Sequence, residues 1–197
     1  IGRGEQFDPE FLTIAPNNRI PAIVDHVPKD GGQPLSMFES GAILEYLADK
    51  SGLFLPAAGR ERYIVLQWLH WQMGGLGPMA GQNHHFCHYA PQKIEYAIER
   101  YVRETNRLYS VLDQRLAQHT YVGGDDYSIA DMAIYPWIVP WEKQGQTIDE
   151  FPDLERWFEM VKARPAVRRA YALVEEVNPQ AGVQMDEQAR KHLFGNR

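Results

Sequence analysis

Two short motifs near the start of the chain constrain its fold most strongly. The first is the dipeptide Ile20-Pro21, and the second is residues 38–41, which read Phe-Glu-Ser-Gly. Between them, residues 22–24 are typical of a strand, residues 35–38 of its partner, and residues 30–32 of the turn that joins the two. A helix then begins at Ser40 and ends near Gly52. The pattern predicts strand, turn, strand and helix, with an X-Pro bond at the first strand.

The same motifs predict a binding site for a peptide-like ligand. The cis form of an X-Pro bond costs little free energy relative to trans, and we expect a cis bond here. The Ile20 amide and carbonyl would then be free to pair with an extended peptide. The step Glu39-Ser40 lies at a helix N-terminus, which favours a carboxylate. Ser40 adds a hydroxyl, and Glu39 can face an ammonium group. The alternative is that Pro21 is a trans turn residue and Ser40 only caps the helix.

Composition excludes several classes of protein. The formal charge of the 197 residues is -6 and the pI is about 5.6, and the absence of a basic cluster argues against a nucleic-acid surface. Hydrophobic residues make up 44% and the mean hydropathy is -0.45, which is typical of a soluble globular protein, and no apolar run reaches membrane-spanning length. The lone Cys87 excludes an intrachain disulfide framework and favours a reducing cytoplasm.

The second half of the sequence predicts long helices and no strands. Residues 56–59 are typical of a linker, and helices are predicted over about 60–72, 91–116, 153–164 and 165–171. Ser128 followed three residues later by Asp131 predicts a capping box, with Asp in place of the usual Glu, at the start of a buried helix. Pro136 and Pro140 are expected to kink or interrupt that helix. The predicted organisation is a binding domain over residues 1–55, a helical domain over 60–175 and a tail over 176–197.

The order and spacing of three motifs resemble the glutathione transferase family. These are residues 16–21, 38–43 and 128–131. Residues 4–7, 71–79, 81–86 and 95–101 are similar to the bacterial Nu class, whose relatives include a yeast prion-forming nitrogen regulator. The resemblance implies an α/β thioredoxin-like N-terminal domain followed by an all-α C-terminal domain. Such a first domain needs a strand–helix–strand unit ahead of Ile20, so we expect roughly 30 further residues before Ile1.

The resemblance also implies a function and a set of site residues. Nu-class proteins are glutathione-dependent disulfide-bond reductases, in which residues matching Gln6, Ile20, Glu39, Ser40 and Arg100 bind glutathione. The residues that activate the thiol are a Thr and an Asn that would precede Ile1, so no catalytic residue is identified in the chain. Pro21, Ser128 and Asp131 would be structural. For Arg100 the alternative is an exposed charge paired with Glu104.

Glutathione is therefore the expected cosubstrate, with a small disulfide or an electrophile as the second substrate. The resemblance implies a homodimer. From composition and sequence pattern we expect neither a nucleic-acid nor a membrane partner, and no metal cofactor. Two other functions stay open: a transferase that conjugates glutathione to electrophiles, and a regulator on the same fold that binds without catalysis. Comparing turnover of a disulfide and of an aryl halide would separate the two enzymes.

Two clusters in the helical half allow alternative interpretations. His84 and His88 are four residues apart, as in a helical zinc site, but the glycines before them and Pro91 after them argue against a regular helix and against a metal. Cys87 lacks the CxxC pattern of a redox thiol and is expected to be a small, partly buried side chain. The glycine-rich residues 74–77 form either a plain loop or a segment where the backbone is approached closely, at a cleft or at a contact with another subunit.

Overall fold

The computed structural model describes residues 4–177, which divide into two compact units. The first unit contains residues 4–50 and 168–177, and the second contains residues 51–167. The boundary between the two units at residues 50 and 51 lies a few residues before the linker predicted at residues 56–59. The predicted tail over 176–197 lies outside the described residues from position 178 onward.

The first unit contains the predicted hairpin and helix. A 3₁₀ turn over Glu5–Phe7 and helix α1 (Pro9–Ile14) precede strands β1 (Ala22–Asp25) and β2 (Leu35–Phe38). The strands pair in antiparallel register, with Ala22 opposite Phe38 and Asp25 opposite Leu35. In the described part of the chain, β1 and β2 form a two-stranded sheet. The α/β prediction is confirmed, and both strands lie within a residue of their predicted bounds.

Helix α2 (Ser40–Ser51) follows β2 directly and begins at an unusual backbone conformation. Glu39 has φ of 70°, which is the left-handed region that residues other than glycine rarely adopt. Its carbonyl accepts the first helical hydrogen bond from Ile43 N–H, at 2.9 Å. The turn from strand to helix is therefore made within one residue, and it places Glu39 and Ser40 at the same edge as the end of β2.

The end of β1 is tied to α2 through Asp25. Its carboxylate accepts hydrogen bonds from the Lys50 ammonium, from the Tyr46 hydroxyl at 2.6 Å and from the Val27 amide at 3.0 Å. These donors favour the ionised carboxylate and lower the pKa of Asp25 to about 2. The same hydrogen bond to Asp25 raises the pKa of Tyr46 to about 12. Strand and helix are thus joined by a charged contact as well as by packing.

The second unit is built of helices. A continuous helical segment runs from Arg60 to Tyr89: it contains α3 (Arg60–Trp71), a π-helical turn, α4 (Gly77–His84) and a second π-helical turn. The other helices of this unit are α5 (Glu95–Leu116), α6 (Ile129–Ile138) and α7 (Pro152–Lys162). Helix α8 (Pro165–Ala172) begins in the second unit and ends in the first, to which α9 (Val174–Val177) also belongs. None of the described helices combines the length and the hydropathy needed to cross a bilayer.

The interpretation of residues 74–77 as a plain loop is wrong, whereas the prediction against a regular helix around His84–His88 holds in part, because α4 ends at His84 and a π-helical turn follows. Residues Gln72–Leu76 and His85–Tyr89 are π-helical, with the wider turns that occur mostly as single insertions inside α-helices. Gly77 has little room for a side chain, since a Cβ there would lie 2.5 Å from Gln72 Nε2 and 3.2 Å from the Gln72 carbonyl oxygen and the Trp137 ring. A Cβ on Gly74 would meet no described atom within 4 Å, so close approach of another chain stays a prediction.

The core of the second unit lies between α4, α5, α6 and α7. Its side chains are fully buried aliphatic and aromatic groups, among them Leu76, Leu108, Tyr109, Leu112, Leu116, Ile134, Ile138, Leu154 and Trp157. Burial of each large apolar side chain stabilises the fold by roughly 1.5–3 kcal/mol before the cost of chain entropy. Helix α6 continues through Pro136 and ends at Ile138, two residues before Pro140.

The predicted capping box at the start of α6 is present and is extended by tertiary contacts. Asp131 accepts hydrogen bonds from the backbone and hydroxyl of Ser128, both at 2.9 Å, from Val122 N–H at 2.9 Å and from Trp157 Nε1 at 2.8 Å. Its side chain is fully buried. Burial raises the pKa of Asp131, and the four donors act in the opposite direction. Asp131 therefore joins α6 to α7 as well as capping α6.

A second carboxylate acts as a cap between helices. Asp113 on α5 accepts hydrogen bonds from the amides of Asp153 and Leu154, both at 2.9 Å. These amides lie in the first turn of α7, where no helical acceptor is available. Because Pro152 occupies the first position of α7 and has no N–H, Asp113 satisfies the next two donors of that helix.

Candidate functional site

The predicted binding motifs of the first unit surround one cavity. It has a volume of about 240 Å³ and is lined by residues from the loop before β1, the end of β2 and the start of α2: Asn17, Arg19, Ile20, Pro21, Phe38, Glu39 and Ser40. The register of the hairpin explains why they meet. Since Ala22 pairs with Phe38, the residues just before β1 and those just after β2 lie at the same end of the sheet.

Ile20 lines this cavity, and its backbone polar groups are unpaired in the described residues. The Ile20-Pro21 bond is cis, as expected, and the side chain of Ile20 is 61% exposed. Within residues 4–177 the structure gives the backbone amide and carbonyl of Ile20 no hydrogen-bond partner. Backbone groups that face a cavity and lie in line with a strand can pair with an added peptide strand. Ile20 therefore offers the donor and acceptor that an extended ligand needs.

Glu39 and Ser40 place charge and dipole beside the same backbone. The N–H groups of the first turn of α2 point away from the helix, and its dipole adds partial positive charge there. The carboxylate of Glu39 is exposed, and its one described contact is with Asn17 Nδ2, at 3.5 Å. An ammonium group and a carboxylate on one ligand would each meet an opposite partner within this cavity.

The structure does not bring every predicted ligand residue to the cavity. Gln6 lies on the 3₁₀ turn Glu5–Phe7, is 3% exposed and is not among the lining residues. Arg100 belongs to the second unit, on an exposed face of α5. The described cavity therefore contains Ile20, Glu39 and Ser40 of the five predicted ligands.

Arg100 lies in a groove along α5 that is lined by charged side chains. The groove has a volume of about 370 Å³, and its lining residues are Tyr96, Glu99, Arg100, Arg103, Glu104 and Arg107. The expected alternative, an ion pair of Arg100 with Glu104, is not found in this part of the chain. Instead Glu104 accepts two hydrogen bonds from Arg107, at 2.7 and 2.9 Å, while Arg103 pairs with Glu99 at 3.2 Å.

The charges of this groove act on Glu104. Hydrogen bonds from Arg107 lower the pKa of Glu104; burial opposes them, and the positive charges of Arg107 and Arg100 add to the lowering. Arg103 and Arg107 each pair with a glutamate of the groove, whereas the guanidinium of Arg100 makes no ion pair with an acidic side chain among the described residues. Its donors are available for a carboxylate of another molecule.

The side chains of the histidine and cysteine cluster contact one another and neighbouring protein groups. The rings of His84 and His88 lie 4.9 Å apart, and the His88 ring contacts the Lys143 carbonyl. In residues 4–177 no group of three or more His, Cys, Asp or Glu side chains could hold a metal ion. The Cys87 thiol donates to Asn83 Oδ1 at 3.1 Å, and burial raises its pKa. A thiol in this state is protonated and a poor nucleophile.

Sequence reasoning missed Asn17 and Arg19 as lining residues of the cavity. Both lie in the loop before the cis bond, so their proximity to Ile20 in the sequence was a usable signal. The guanidinium of Arg19 donates to the Asn18 carbonyl at 3.1 Å and to the Asn18 side chain. Asn18 itself has φ of 48°, a local turn that the sequence motif alone did not indicate.

Comparison with protein families decides the broader assignment. A model of the glutathione S-transferase N-terminal domain matches residues 1–49, and a model of the C-terminal domain of the same family matches residues 76–165. The disulfide-bond oxidoreductase YfcG of Escherichia coli strain K12 is 59% identical over 170 residues, which cover 86% of this chain and 79% of YfcG. The chain belongs to the glutathione S-transferase family. The family resemblance seen in the sequence is confirmed.

Solved structures of this family share the fold and were obtained with ligands. A glutathione transferase from Burkholderia graminis, with two glutathione molecules bound per subunit, is 44% identical, has a TM-score of 0.79 and covers 84% of this chain and 72% of its own. One from Pseudomonas putida, with one glutathione disulfide bound per subunit, is 42% identical, has a TM-score of 0.77 and covers 84% of this chain and 74% of its own. The expected combination of a glutathione S-transferase N-terminal domain and an all-α C-terminal domain is confirmed.

Proposed function

We propose that this protein is a glutathione-dependent disulfide-bond reductase that binds glutathione in the cavity beside Ile20. The observation that carries the proposal is the combination, within 240 Å³, of unpaired backbone at Ile20 with Glu39 and the N-terminus of α2. Glutathione has a peptide middle and an amino-acid head. The names of the relatives add support, since YfcG is a disulfide-bond oxidoreductase and neighbouring structures contain glutathione or its disulfide.

Each part of the ligand has a complementary group. The cysteinyl amide and carbonyl of glutathione pair with the backbone of Ile20 as a short added strand. The α-carboxylate of the γ-glutamyl head accepts from the first-turn amides of α2 and from Ser40. The ammonium group of the head faces Glu39, which is exposed. The ligand is thus oriented by its backbone and held at one end by charge.

The proposed reaction is thiol–disulfide exchange by glutathione itself. The thiolate of one glutathione attacks a sulfur of the substrate disulfide, so that a mixed disulfide forms, the substrate S–S bond breaks and one substrate thiol leaves with a proton. A second glutathione attacks the mixed disulfide, which yields glutathione disulfide and the second substrate thiol. The protein supplies orientation and no cysteine, in keeping with the raised pKa of Cys87.

Turnover tests the reaction type. With reduced glutathione, we expect the protein to reduce a small symmetrical disulfide and to conjugate an aryl halide far more slowly, at matched substrate concentrations. The Glu39→Gln variant serves as a matched site control and should lose turnover together with glutathione binding. Reaction with the halide alone would replace the proposal with a conjugating transferase. Glutathione binding without turnover of either substrate would favour a regulator.

Gln6 and Arg100 remain proposed glutathione contacts. Arg100 has a guanidinium without a direct acidic contact in the described residues, which supports a role in binding a carboxylate. We expect Arg100→Ala to weaken glutathione binding by about 3-fold, and Arg103→Ala, which removes a guanidinium already paired with Glu99, to change it little. Equal effects of the two variants would show that only the overall charge of the groove matters.

Homodimerisation is also proposed, from the family resemblance. Tyr63 and Tyr96 of the second unit are 71% and 76% exposed, and aromatic side chains are enriched at protein interfaces. Sedimentation at micromolar concentration should give twice the chain mass of 22.7 kDa. A monomer under these conditions would contradict the proposal without affecting the binding site.

A further inference from the structure

The chain passes between the two units twice, and both connections are attached to one aromatic side chain of the second unit. The first connection leaves the first unit between residues 50 and 51, and the second returns to it between residues 167 and 168. Phe54 on the first connection and Arg164 on the second both contact the ring of Tyr127. These three residues all belong to the second unit, so their arrangement is a property of that unit.

Phe54 has a backbone conformation that its surroundings must support. Its φ of 66° lies in the left-handed region, which a bulky side chain rarely adopts. Phe54 is 43% exposed, so burial alone does not hold it. Its carbonyl accepts the Ile129 amide at 3.0 Å, and its ring meets that of Tyr127 edge to face, with centroids 6.0 Å apart. Strained backbone persists where such contacts fix it, so the first connection is fastened to the start of α6.

Arg164 fastens the second connection to the same ring. It lies between the end of α7 and Pro165, the first residue of α8. Its guanidinium carbon is 3.8 Å from the centroid of the Tyr127 ring, and Nη1 donates to the Tyr121 hydroxyl at 3.4 Å. Among the described residues Arg164 has no carboxylate partner, and its Nε is buried without an acceptor. Aromatic rings therefore supply the contacts that stabilise its charge.

We propose that Tyr127 is the shared anchor of both connections, and that Phe54, Tyr127 and Arg164 form a conformational lock, called the connector lock. Because one ring supports both connections, loss of the ring frees both, and loss of either neighbour weakens the other. Bending of the first connection is then left to the residues beside the lock. Gly52 is suited to this, since its φ of 72° costs glycine little and a Cβ there would meet no described atom within 4 Å.

Two backbone amides report on the lock. The Ile129 amide donates to the Phe54 carbonyl and reports on the first connection, and the Arg164 amide, bonded to the last turn of α7 at 3.1 Å, reports on the second. Hydrogen exchange of the full chain, followed by NMR under native conditions, measures the protection of both.

Removal of the shared ring is the direct test. Tyr127→Leu should lower the protection of both reporting amides by about 10-fold, the size expected for loss of an aromatic and a cation–π contact. Amides in the centre of α5 should keep their protection. Tyr127→Phe retains the ring and should protect both reporting amides as the unmodified chain does.

Variants on one side of the lock test whether the anchor is shared. Phe54→Leu should lower the protection of Ile129 by about 10-fold and that of Arg164 by about 3-fold, because the Tyr127 ring loses one of its two supports. Arg164→Met, which keeps the length of the side chain but removes its charge, should give the reverse pattern. These variants decide the question even where Tyr127→Leu also loosens α5.

Tyr101→Leu is the matched control. It removes another partly buried tyrosine ring of the second unit, which stacks on Phe86 with centroids 5.5 Å apart, and it should leave both reporting amides unchanged. An equal loss of protection in this variant would show general loosening of the unit. Loss at one reporting amide only in Tyr127→Leu, or no effect of Phe54→Leu on Arg164, would show two independent anchors. Either result would overturn the inference.

Discussion

Two helix N-termini of this protein use the same chemistry in opposite ways. At α6, the carboxylate of Asp131 is fully buried and accepts four hydrogen bonds from its own chain. At α2, the carboxylate of Glu39 is exposed and has one contact at 3.5 Å, on a backbone with φ of 70°. One N-terminus is satisfied internally and stabilises the fold. The other leaves its charge and dipole facing a cavity, where a ligand can use them.

The comparison separates stability from binding along the chain. Polar groups that are satisfied within the protein contribute to folding, whereas polar groups left facing a cavity contribute to recognition. Substitutions at Asp131 should therefore act on unfolding, and substitutions at Glu39 should act on the ligand.

The largest effect is expected for Asp131→Ala. The substitution leaves Val122 N–H, Ser128 N–H and Trp157 Nε1 buried without an acceptor, so the free energy of unfolding should fall by about 3 kcal/mol or more. Asp131→Asn, which keeps one acceptor oxygen, should lose less. Urea unfolding at neutral pH measures both. Asp126→Ala, at an exposed position close by, is the control, and an equal loss there would contradict the role of the buried network.

Next in size is Glu39→Gln, which should weaken glutathione binding by about 10-fold with little change in unfolding. The amide keeps the shape of the side chain but no longer attracts the ammonium group of the ligand. Titration with glutathione measures the effect. Glu10→Gln removes the same charge from an exposed position on α1 and should bind normally. A loss of stability without a loss of binding would make Glu39 a structural cap like Asp131.

Glu39→Gly should stabilise the protein while it abolishes most of the binding. Glycine adopts positive φ without steric cost, so unfolding should require about 0.5–1 kcal/mol more free energy. Thermal unfolding and glutathione titration on the same sample measure the two effects. A decrease in stability would show that Glu39 is not strained in the folded chain.

A smaller effect concerns acid stability of the first unit. The pKa of Asp25 is lowered to about 2 by the hydrogen bonds of Lys50, Tyr46 and the Val27 amide, while an unfolded Asp has a pKa of about 3.9. The contact therefore contributes fully above pH 4, and its contribution is lost as the pH falls from about 4 to about 2. Asp25→Asn should flatten the pH dependence of unfolding in this range. An unchanged slope would contradict the assignment.

No effect on turnover is expected for Cys87→Ser. The thiol is partly buried, donates to Asn83 and has a raised pKa, and glutathione supplies the reacting sulfur in the proposed reaction. The variant should keep disulfide reductase activity within about twofold, a margin set by loss of one weak hydrogen bond. Mass analysis after exposure to glutathione disulfide adds a second readout. A mixed disulfide on Cys87, with loss of turnover in the variant, would assign it to the reaction.

Prediction from sequence was most accurate where structure is local. The strands around the turn at residues 30–32, the start of α2 at Ser40 and the capping box of Ser128 with Asp131 are all set by residues within a few positions of one another. It was least accurate at residues 72–89. There the glycines allowed a loop as one interpretation, but the chain stays helical through two π-helical turns.

The candidate site shows the same division. Ile20, Glu39 and Ser40 were identified from motifs, because each motif carries its own backbone chemistry. Asn17 and Arg19 were missed, although both lie in the loop just before Pro21 and line the same cavity as Ile20. The ion pair of Arg100 with Glu104, which the sequence left as an alternative, is absent from the described residues, where Glu104 accepts hydrogen bonds from Arg107 instead.

The order of the elements, the family and the backbone groups that can hold a peptide follow from the sequence, because they depend on short spacings and on the intrinsic conformations of proline and capping residues. Which polar groups are satisfied and which face a cavity follows only from the folded chain. That outcome depends on contacts between distant positions, such as Trp157 with Asp131 and β1 with β2, and on the low cost of exposing Glu39 compared with the high cost of burying an unpaired group.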